Sequence, residues 1–446
     1  MNKLEGEGQY DAKIYSLIAG KVFGNTYVTM KGGYVGRNVY GGGNMASVGK
    51  GNYAGGTDNY YPTGYGETIN EPLWTSSENH DNAWEFLNSG KTTVNVISGT
   101  IGYIDATDPS KSMKNDLPYG NVIGGSAGEA APNIEEYPRY EYSPAFFSGY
   151  VNETDVTIGG YRCKEDYEGE GTPKEGDVIT AAKYEESYTG DAAKWEIVGP
   201  TIRASVYGGS QDGHVRRDTK VTVLGGEIGK PYTSDNISLL KTDKLDDPQW
   251  MHRGNIYGGG SGITKYKYDF NYDGKIDDTV PDITYHSEPV KEEDYSSSSG
   301  SVTRYTEVNV KGGTIHRNVY GGGSMGSVGA PKIDQGYDPY KKNDNTEGHG
   351  PGKKSQNTVN IGGGTSVVTI GTPYANGWTY EKTYGGEVYG ACRGMSTLDA
   401  DQFATSVWTE VNIKDKATIM GNVYGGGDNG MVKKDTNVQI GDPATP

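Results

Sequence analysis

The sequence predicts an all-β chain, folded as a parallel β-helix (a β-solenoid) with long polar insertions, and three observations lead to this fold class. The string Val-Tyr-Gly-Gly-Gly recurs along the 446 residues. Alternating Val-x-Val stretches accompany the copies, and pairs of glycines separate these stretches from one another. A chain that repeats one short unit is built by stacking that unit, and strands this short need such stacking to be stable.

The Val-Tyr-Gly-Gly-Gly core occurs in three complete copies and four variants. They begin at Val39, Val122, Val206, Ile256, Val319, Val388 and Val423. If the register is kept, the core tyrosines stack from repeat to repeat and the asparagines just upstream form an amide ladder. The tyrosines are Tyr40, Tyr207, Tyr257, Tyr320, Tyr389 and Tyr424; the asparagines are Asn38, Asn255, Asn318 and Asn422. Position in the repeat thus predicts structural roles for both sets.

The segment from Val308 to Tyr320 is the clearest copy of the longer unit. Its Val-Asn-Val alternation predicts a half-buried strand with β-branched residues facing inward. The glycines are expected at sharp corners, and we expect Gly321 and Gly322 to need positive φ. The unit therefore reads as strand, turn, short strand, turn, strand. Another all-β repeat, a propeller or sandwich, is the alternative, but cores lie about 35 to about 84 residues apart, whereas propeller blades keep a near-constant period.

Polar insertions account for the variable spacing. They span residues 49–91, 130–153, 161–197, 264–301 and 330–356. Insertions in repeat proteins project from corners and often build the binding face. We therefore expect one elongated body over residues 1–446 with decorations, rather than several globular domains. The last strand-like stretch, Val438 to Ile440, begins a new unit, so we expect a fragment of a longer repetitive chain.

Composition and charge exclude several classes of protein. With 41 basic and 58 acidic residues, the formal net charge is −17, which would repel a phosphate backbone, so we expect no nucleic acid partner. No apolar run is long enough for a membrane span, and the N-terminus lacks the features of a signal peptide. Cys163 and Cys392 are too far apart in sequence for pairing to be inferred, and no Cys-x-x-Cys occurs.

One loop outside the repeat predicts a Ca²⁺ site. Residues 269–278 read Asp-Phe-Asn-Tyr-Asp-Gly-Lys-Ile-Asp-Asp, which resembles the calcium loops of EF-hands and dockerins. Oxygen ligands at alternate positions suit a hard cation, with glycine at the sixth position for the turn. The predicted ligands are Asp269, Asn271, Asp273, the carbonyl of Lys275, and Asp277. The twelfth position is Val280 where those families place a bidentate acid, so an Asp-rich turn is the alternative.

Catalytic patterns are sparse. The six histidines are scattered, and His252 and His316 precede arginines at similar places in the repeat, which indicates a structural role. A polysaccharide lyase or glycoside hydrolase would need acids that converge with Arg or Lys on one face. The nearest candidates are Asp212, Arg216, Arg217 and Asp218. Because repeats also bring charges together by chance, the sequence favours a protein that is not an enzyme.

The repeat also resembles a known family. Residues Thr306 to Gly329 fit the pattern GGxIxxNVYGGGxxGxVG with an upstream TxVNIxGG-like strand, and Thr409 to Val432 fit it less fully. This pattern is similar to the glycine-rich repetitive, adhesin-like surface proteins of Bacteroidetes, over the cores but not the insertions. The resemblance implies an extracellular or cell-surface location, a parallel β-helix and no known catalytic residue. We therefore expect an adhesin-like or structural stalk whose Tyr-rich insertions contact a glycan or an extracellular protein.

Overall fold

The computed structural model describes just over half of the chain. The described residues are 20–49, 89–102, 119–130, 149–229, 253–267, 284–285, 288–289, 293–297, 299–329, 356–372, 385–396, 398 and 403–441. Of the five predicted insertions, 161–197 is described throughout, and the other four lie largely outside these residues.

Three parallel sheets contain most of the strands. Sheet A has eight: Thr26–Met30, Lys91–Val96, Glu153–Ile158, Thr219–Val223, Tyr305–Val310, Gln356–Ile361, Trp408–Ile413 and Thr436–Ile440. Sheet B has seven: Tyr34–Val35, Thr100–Ile101, Thr201–Ile202, Glu227–Ile228, Gly313–Ile315, Val368–Ile370 and Ala417–Ile419. Sheet C has seven: Val39–Tyr40, Val122–Ile123, Val206–Tyr207, Ile256–Tyr257, Val319–Tyr320, Val388–Tyr389 and Val423–Tyr424.

The strand order of each sheet follows the order of the chain. One strand of sheet A, the next of sheet B and the next of sheet C make a repeat, and we number the repeats 1 to 8 from the N-terminus. Among the described residues, repeat 8 contributes only its sheet A strand. The register keeps equivalent residues opposite each other, as in Val308 beside Val359 and Val359 beside Val411. The predicted all-β class and the order strand, turn, short strand, turn, strand are confirmed.

A fourth line of strand pairing, which was not predicted from the sequence, precedes sheet A. Isolated parallel bridges join Val22 to Val48, Val151 to Val215, Val215 to Val302, Val302 to Val328, and Ser406 to Val432. Five of these valines are buried with Cys392 and Ala404 in a separate apolar cluster. The described residues at these positions of the links between repeats are therefore paired, as the sheets are.

The inward side chains of the three sheets form one apolar core. Val and Ile residues of all three sheets belong to it, and most are fully buried. The first inward position of sheet A is usually a threonine, whose hydroxyl donates to the carbonyl of the first core glycine of the same repeat at 2.5 to 2.6 Å. A buried hydroxyl thus satisfies a buried carbonyl and ties sheet A to the end of sheet C.

The glycines serve two different purposes. Gly33, Gly226 and Gly313, at the turn from sheet A to sheet B, have φ of +85°, +105° and +92°, a region that glycine occupies without strain. Gly321 and Gly322 do not have positive φ, so that expectation was wrong. A Cβ on Gly321 would instead overlap the carbonyl oxygen of Gly390, because consecutive repeats approach each other closely there.

Residues 160–198 form a small antiparallel unit, which we call the folded insertion. Its strands are Gly160–Cys163, Val178–Ile179 and Trp195–Val198. A short α-helix, α1 (Ala181–Ser187), and a 3₁₀ segment, Thr189–Lys194, connect the last two strands. This helix was not predicted from the sequence. Two further antiparallel pairs are described within 264–301: Lys265–Lys267 with Glu293–Tyr295, and Thr284–Tyr285 with Glu288–Pro289.

Candidate functional site

The core tyrosines form a continuous stack along sheet C. Ring centroids of Tyr207, Tyr257, Tyr320, Tyr389 and Tyr424 follow each other at 4.8, 5.0, 4.9 and 4.9 Å, with interplanar angles of 4° to 13°. The predicted tyrosine ladder is confirmed for these five residues. Ile123 occupies the equivalent position of repeat 2, so Tyr40 packs against the cluster without joining the stack.

The asparagines upstream of the ladder have a role that differs from the predicted one. The side-chain oxygen of Asn255 accepts from the backbone N–H of Asn318 at 3.0 Å, and its amide nitrogen donates to the Tyr257 hydroxyl at 3.1 Å. Asn318 repeats this arrangement with Glu387 and Tyr320. These amides therefore hold tyrosine hydroxyls and join repeats through the backbone, and a direct amide-to-amide hydrogen bond joins Asn121 to Asn38 at 3.4 Å in the first two repeats.

An amide ladder does occur on the outer face of sheet A, where it was not predicted. Asn360 donates to Asn309 at 2.9 Å, and Asn412 donates to Asn360 at 3.0 Å. The signal was present in the Val-Asn-Val and Val-Asn-Ile strings, whose central residue must face outward when the valines face inward. Outward polar side chains thus help to hold the register.

Charged side chains gather beside the C-terminal end of the tyrosine stack. We call Glu387, Arg393, Asn422, Tyr424 and Asp428 the ladder-end cluster. The Tyr389 hydroxyl donates to Glu387 at 2.5 Å, and the Asn422 amide donates to the other oxygen of Glu387 at 3.5 Å. Arg393 Nε lies 3.6 Å from Asp428 Oδ2, with the arginine side chain 9% exposed and the aspartate side chain 33% exposed.

The electrostatics of the ladder-end cluster follow from burial beside like and unlike charges. Burial raises the pKa of Asp428; Arg393 opposes this effect and Glu387 adds to it. Burial also raises the pKa of Tyr389, and its hydrogen bond to Glu387 raises it further because the hydroxyl must keep its proton to donate. Arg393 is buried, Glu387 is half-buried and Tyr424 is exposed, so only part of this cluster faces solvent.

The four residues singled out as catalytic candidates are mostly buried. Asp212, Arg216 and Arg217 are 2%, 7% and 2% exposed. Arg217 Nη1 lies 3.3 Å from Glu153 Oε1 of the preceding repeat. Burial lowers the pKa of Arg217, and the charges of Glu153 and Asp218 oppose this effect. Asp212 accepts from Thr264 at 2.6 Å and from Gln211 at 3.1 Å, and burial raises its pKa to about 6. The burial of Asp212, Arg216 and Arg217 gives little access to a substrate.

His316 joins three repeats through its two ring nitrogens. Nε2 lies 2.7 Å from Glu227 and Nδ1 lies 2.5 Å from the Thr372 hydroxyl. Burial lowers the pKa of His316, although Glu227 opposes this effect. Because the side chain is 7% exposed, the arrangement satisfies a buried imidazole, in line with the predicted structural role. His214 contacts the Ser301 hydroxyl at 3.0 Å, and the other four histidines lie outside the described residues.

The predicted calcium ligands Asp269, Asn271, Asp273, Lys275 and Asp277 all lie outside the described residues. Within the part of the chain that the structure describes, no group of three or more His, Cys, Asp or Glu side chains is arranged to hold a metal ion. Cys163 and Cys392 are both buried with free thiols. Burial raises the pKa of the Cys392 thiol to about 11, which disfavours the reactive thiolate.

The folded insertion has an aromatic core of its own. Tyr161 and Tyr184 stack at 3.7 Å with an interplanar angle of 11°. The Trp195 indole N–H donates to the Tyr167 hydroxyl at 2.9 Å, and the Lys194 ammonium lies 4.6 Å from the centre of the Tyr167 ring. Tyr184 and Trp195 are buried, whereas Tyr161 and Tyr167 are half-buried. The rings of Tyr161 and Tyr167 thus expose part of this aromatic cluster to solvent.

Comparison with models of known families, with curated proteins and with solved structures finds no match. What the protein does is therefore inferred from its own residues, chiefly the repeats and the folded insertion. The described part of the chain contains no helix that is long and apolar enough to cross a membrane.

Proposed function

We propose that the repeats wind as a parallel β-helix that forms the stalk of a non-enzymatic, adhesin-like protein of the cell surface. The folded insertion would contact a glycan or an extracellular protein. The observation that carries the proposal is the shared strand order: three parallel sheets all follow chain order and keep one register through consecutive repeats.

This order favours a β-helix over the other all-β repeats. Propeller blades and sandwiches are built from antiparallel strands, whereas every strand pair of sheets A, B and C is parallel. Within a repeat, a threonine hydroxyl of sheet A donates a hydrogen bond to a glycine carbonyl at the end of sheet C. This contact is expected if the chain completes one turn with its three strands and returns to sheet A.

The geometry of stacking supports a stalk role. Strands lie about 4.8 Å apart, so the eight strands of sheet A span about 34 Å along the stacking direction. The tyrosine stack and the asparagine bonds continue from repeat to repeat over the same direction. Such a body resists bending, because any bend must break several ladders together.

The folded insertion is the described element best suited to contact a partner. It leaves the repeats between sheets A and B of repeat 3 and carries its own aromatic core, so it keeps its shape without support from a ligand. Tyrosine and tryptophan provide flat, amphipathic surfaces that suit sugar rings and protein surfaces. The surface location follows from the family resemblance alone.

The alternative function, a polysaccharide lyase or glycoside hydrolase, has less support. It requires accessible acids beside a base or an arginine, and Asp212, Arg216 and Arg217 are nearly inaccessible.

Two measurements on the purified chain test the proposal. Circular dichroism is expected to show a spectrum rich in β-structure with little helix, and a spectrum with much helix would overturn the β-helix. Binding to an array of glycans and extracellular-matrix proteins is then compared with a variant whose residues 160–198 are replaced by a short Gly-Ser loop. We expect this variant to keep the β-spectrum and lose binding, and unchanged binding would refute a contact role for the folded insertion.

A further inference from the structure

Four of the ten arginines of the chain lie at the corner where a repeat turns from sheet B to sheet C. They belong to repeats 1, 3, 4 and 5, and a tyrosine occupies the same corner of repeat 2. We call these five residues the corner row: Arg37, Tyr119, Arg203, Arg253 and Arg317. Arg37 is exposed and the other four are half-buried. Folding thus gathers positive charge on one line of a chain whose formal net charge is −17.

The first three members of the corner row lie against one another. The Arg37 guanidinium lies 4.8 Å from the centre of the Tyr119 ring. A Cβ on Gly120, the residue after Tyr119, would come within 3.2 Å of Arg203 Cβ. The tyrosine of repeat 2 therefore lies between an arginine of repeat 1 and an arginine of repeat 3.

The row continues into the following repeats. The backbone N–H of Gly254 donates to the Ala204 carbonyl at 3.1 Å, which places Arg253 beside Arg203. The backbone N–H of Arg317 donates in turn to the Gly254 carbonyl at 3.0 Å. Arg203 thus has a repeat on each side, so its accessibility does not depend on where the stack begins or ends.

Two guanidiniums of the row have no acidic partner within the part of the chain that the structure describes. None of the ion pairs among these residues includes Arg37 or Arg203. A guanidinium forms paired, charge-assisted hydrogen bonds with a carboxylate, whose geometry it matches. Arg37 and Arg203 are therefore suited to carboxylates of another molecule.

Sheet B places hydroxyl groups beside the corner row. Thr100, Thr201 and Thr314 face outward, because the isoleucine that follows each of them belongs to the apolar core. All three threonines are half-buried. Glu227 holds the equivalent position in repeat 4, where it contacts His316 Nε2 at 2.7 Å. Guanidiniums, a phenol ring and hydroxyls together suit a sugar that carries a carboxylate, because a tyrosine ring packs on apolar sugar faces while its neighbours form hydrogen bonds.

Charge density separates a polysaccharide from a nucleic acid as the partner. Double-stranded DNA carries one negative charge per about 1.7 Å, and the −17 charge of the chain opposes so dense a polyanion. Repeats 1 and 3 lie about 10 Å apart, which is close to the length of a disaccharide. A uronate in every sugar or in every second sugar would therefore place carboxylates at the spacing of the arginines.

We propose that the corner row binds a carboxylated polysaccharide that runs along the stacking direction. Arg37 and Arg203 hold carboxylates, and Tyr119 packs against a sugar ring between them. The contact uses none of residues 160–198, so it goes beyond the contact proposed for the folded insertion.

Isothermal titration of the full chain tests the corner row with four probes: an octasaccharide of alternating glucuronate and N-acetylglucosamine, an octagalacturonate, a neutral N-acetylglucosamine hexasaccharide and a single-stranded oligothymidylate. We expect saturable heat with at least one uronate probe at up to about 1 mM, weakened at about 0.5 M NaCl because salt screens exposed charges. No heat is expected with the neutral sugar or the oligothymidylate. Arg203→Gln and Arg37→Gln are each expected to weaken uronate binding at least about fivefold, since a paired charge-assisted hydrogen bond is lost.

The matched control is Arg162→Gln, which removes the same charge from the folded insertion, where the arginine side chain is 45% exposed. Its uronate heats are expected to equal those of the wild type, and circular dichroism verifies that each variant keeps its β-structure. Arg37→Gln changes an exposed side chain and decides the matter if Arg203→Gln unfolds.

Several results would overturn the proposal. They are absence of heat with both uronate probes, equal or tighter binding of the neutral sugar or the oligothymidylate, and equal weakening by Arg162→Gln and Arg203→Gln. Replacement of residues 160–198 is expected to preserve the uronate heats. If that replacement abolished them while Arg37→Gln and Arg203→Gln kept them, the binding would belong to the folded insertion, whose proposed contact role would stand while the corner row lost its own.

Discussion

The repeats and the folded insertion are stabilised in different ways. In the repeats, strands of two to six residues pair with partners that are many residues away, as Val319 does with Val388. In the folded insertion, strands of one unit, residues 160–198, pair antiparallel with one another around one aromatic cluster. Each repeat therefore depends on the repeats above and below it, whereas the insertion depends mainly on itself.

This difference has a thermodynamic consequence. Stability in stacked repeats is the sum of weak units and the interfaces between them, so damage at one interface affects both neighbours. A local unit such as the insertion can open without the rest of the chain, which separates local from global unfolding. We therefore expect a substitution in the repeats to destabilise neighbouring repeats as well, whereas a substitution in the folded insertion destabilises mainly the insertion.

The largest effect is expected from Gly321→Val combined with Gly322→Val. The new side chains would overlap the Gly390 carbonyl and Cys392 of the next repeat, and overpacking costs about 1 to 3 kcal/mol per site. We expect loss of the cooperative urea transition or aggregation. The matched control is Gly426→Ala, because a Cβ at Gly426 would meet no atom within 4 Å; equal damage in both proteins would disprove close approach as the reason for these glycines.

The next largest effect is expected from Tyr320→Ala. This residue is 1% exposed and stacks on both sides, so its removal leaves a cavity in the ladder and costs about 3 to 5 kcal/mol. Urea denaturation gives the free energy of unfolding. Tyr424→Ala, with one stacked neighbour and 41% exposure, is expected to lose less than half as much. Unchanged stability of Tyr320→Ala together with loss of partner binding would contradict the structural role of the ladder.

Trp195→Ala tests whether the folded insertion is independent of the repeats. The indole is 5% exposed and holds Tyr167 through its N–H, so we expect the insertion to open locally. Hydrogen exchange is expected to accelerate across 160–198 while sheet A amides keep their protection, with the global unfolding free energy changed by less than about 1 kcal/mol. Loss of protection in sheet A would show that the two regions fold as one unit.

Calcium is expected to stabilise only the loop that contains residues 269–277. Without a clear acid at the twelfth position we expect a dissociation constant of about 10⁻⁴ to 10⁻³ M, and a gain of about 1 to 3 kcal/mol at saturation. Isothermal titration of the wild type and of Asp273→Ala measures this. Equal heats in the two proteins, or none at millimolar calcium, would reduce the loop to an acidic turn. The repeats are expected to persist in a chelator.

The smallest effect concerns pH and His316. Because burial holds its pKa below the usual value, the folded state binds fewer protons than the unfolded state at mildly acidic pH. The contribution is therefore fully present above the unfolded pKa of about 6.5 and is lost as pH falls through the lower folded value. Melting temperatures at pH 7.5 and pH 5 are expected to differ more for the wild type than for His316→Gln, and identical pH dependence would exclude His316 as a titrating group.

The all-β class, the order of strands within a repeat and the tyrosine stack could be predicted from the amino-acid sequence alone. These follow from short-range patterns: alternation assigns Val308 and Val310 to the inside, and the identical Val-Tyr strings predict that Tyr320 meets Tyr389 once equivalent strands pair. Burial of the β-branched face leaves few other registers, since a slip of one residue would turn that face outward.

Which polar groups lie in contact could not be predicted from the sequence. Glu227, His316 and Thr372 come from three repeats, and Arg393 reaches Asp428 across two more. These contacts depend on which residues of consecutive repeats lie side by side. The repeats have unequal lengths, so the local alternation of apolar residues does not predict these contacts. The same holds for Gly321. No side chain fits at this position because the Gly390 carbonyl of the next repeat lies against it, and not because of the backbone φ of Gly321.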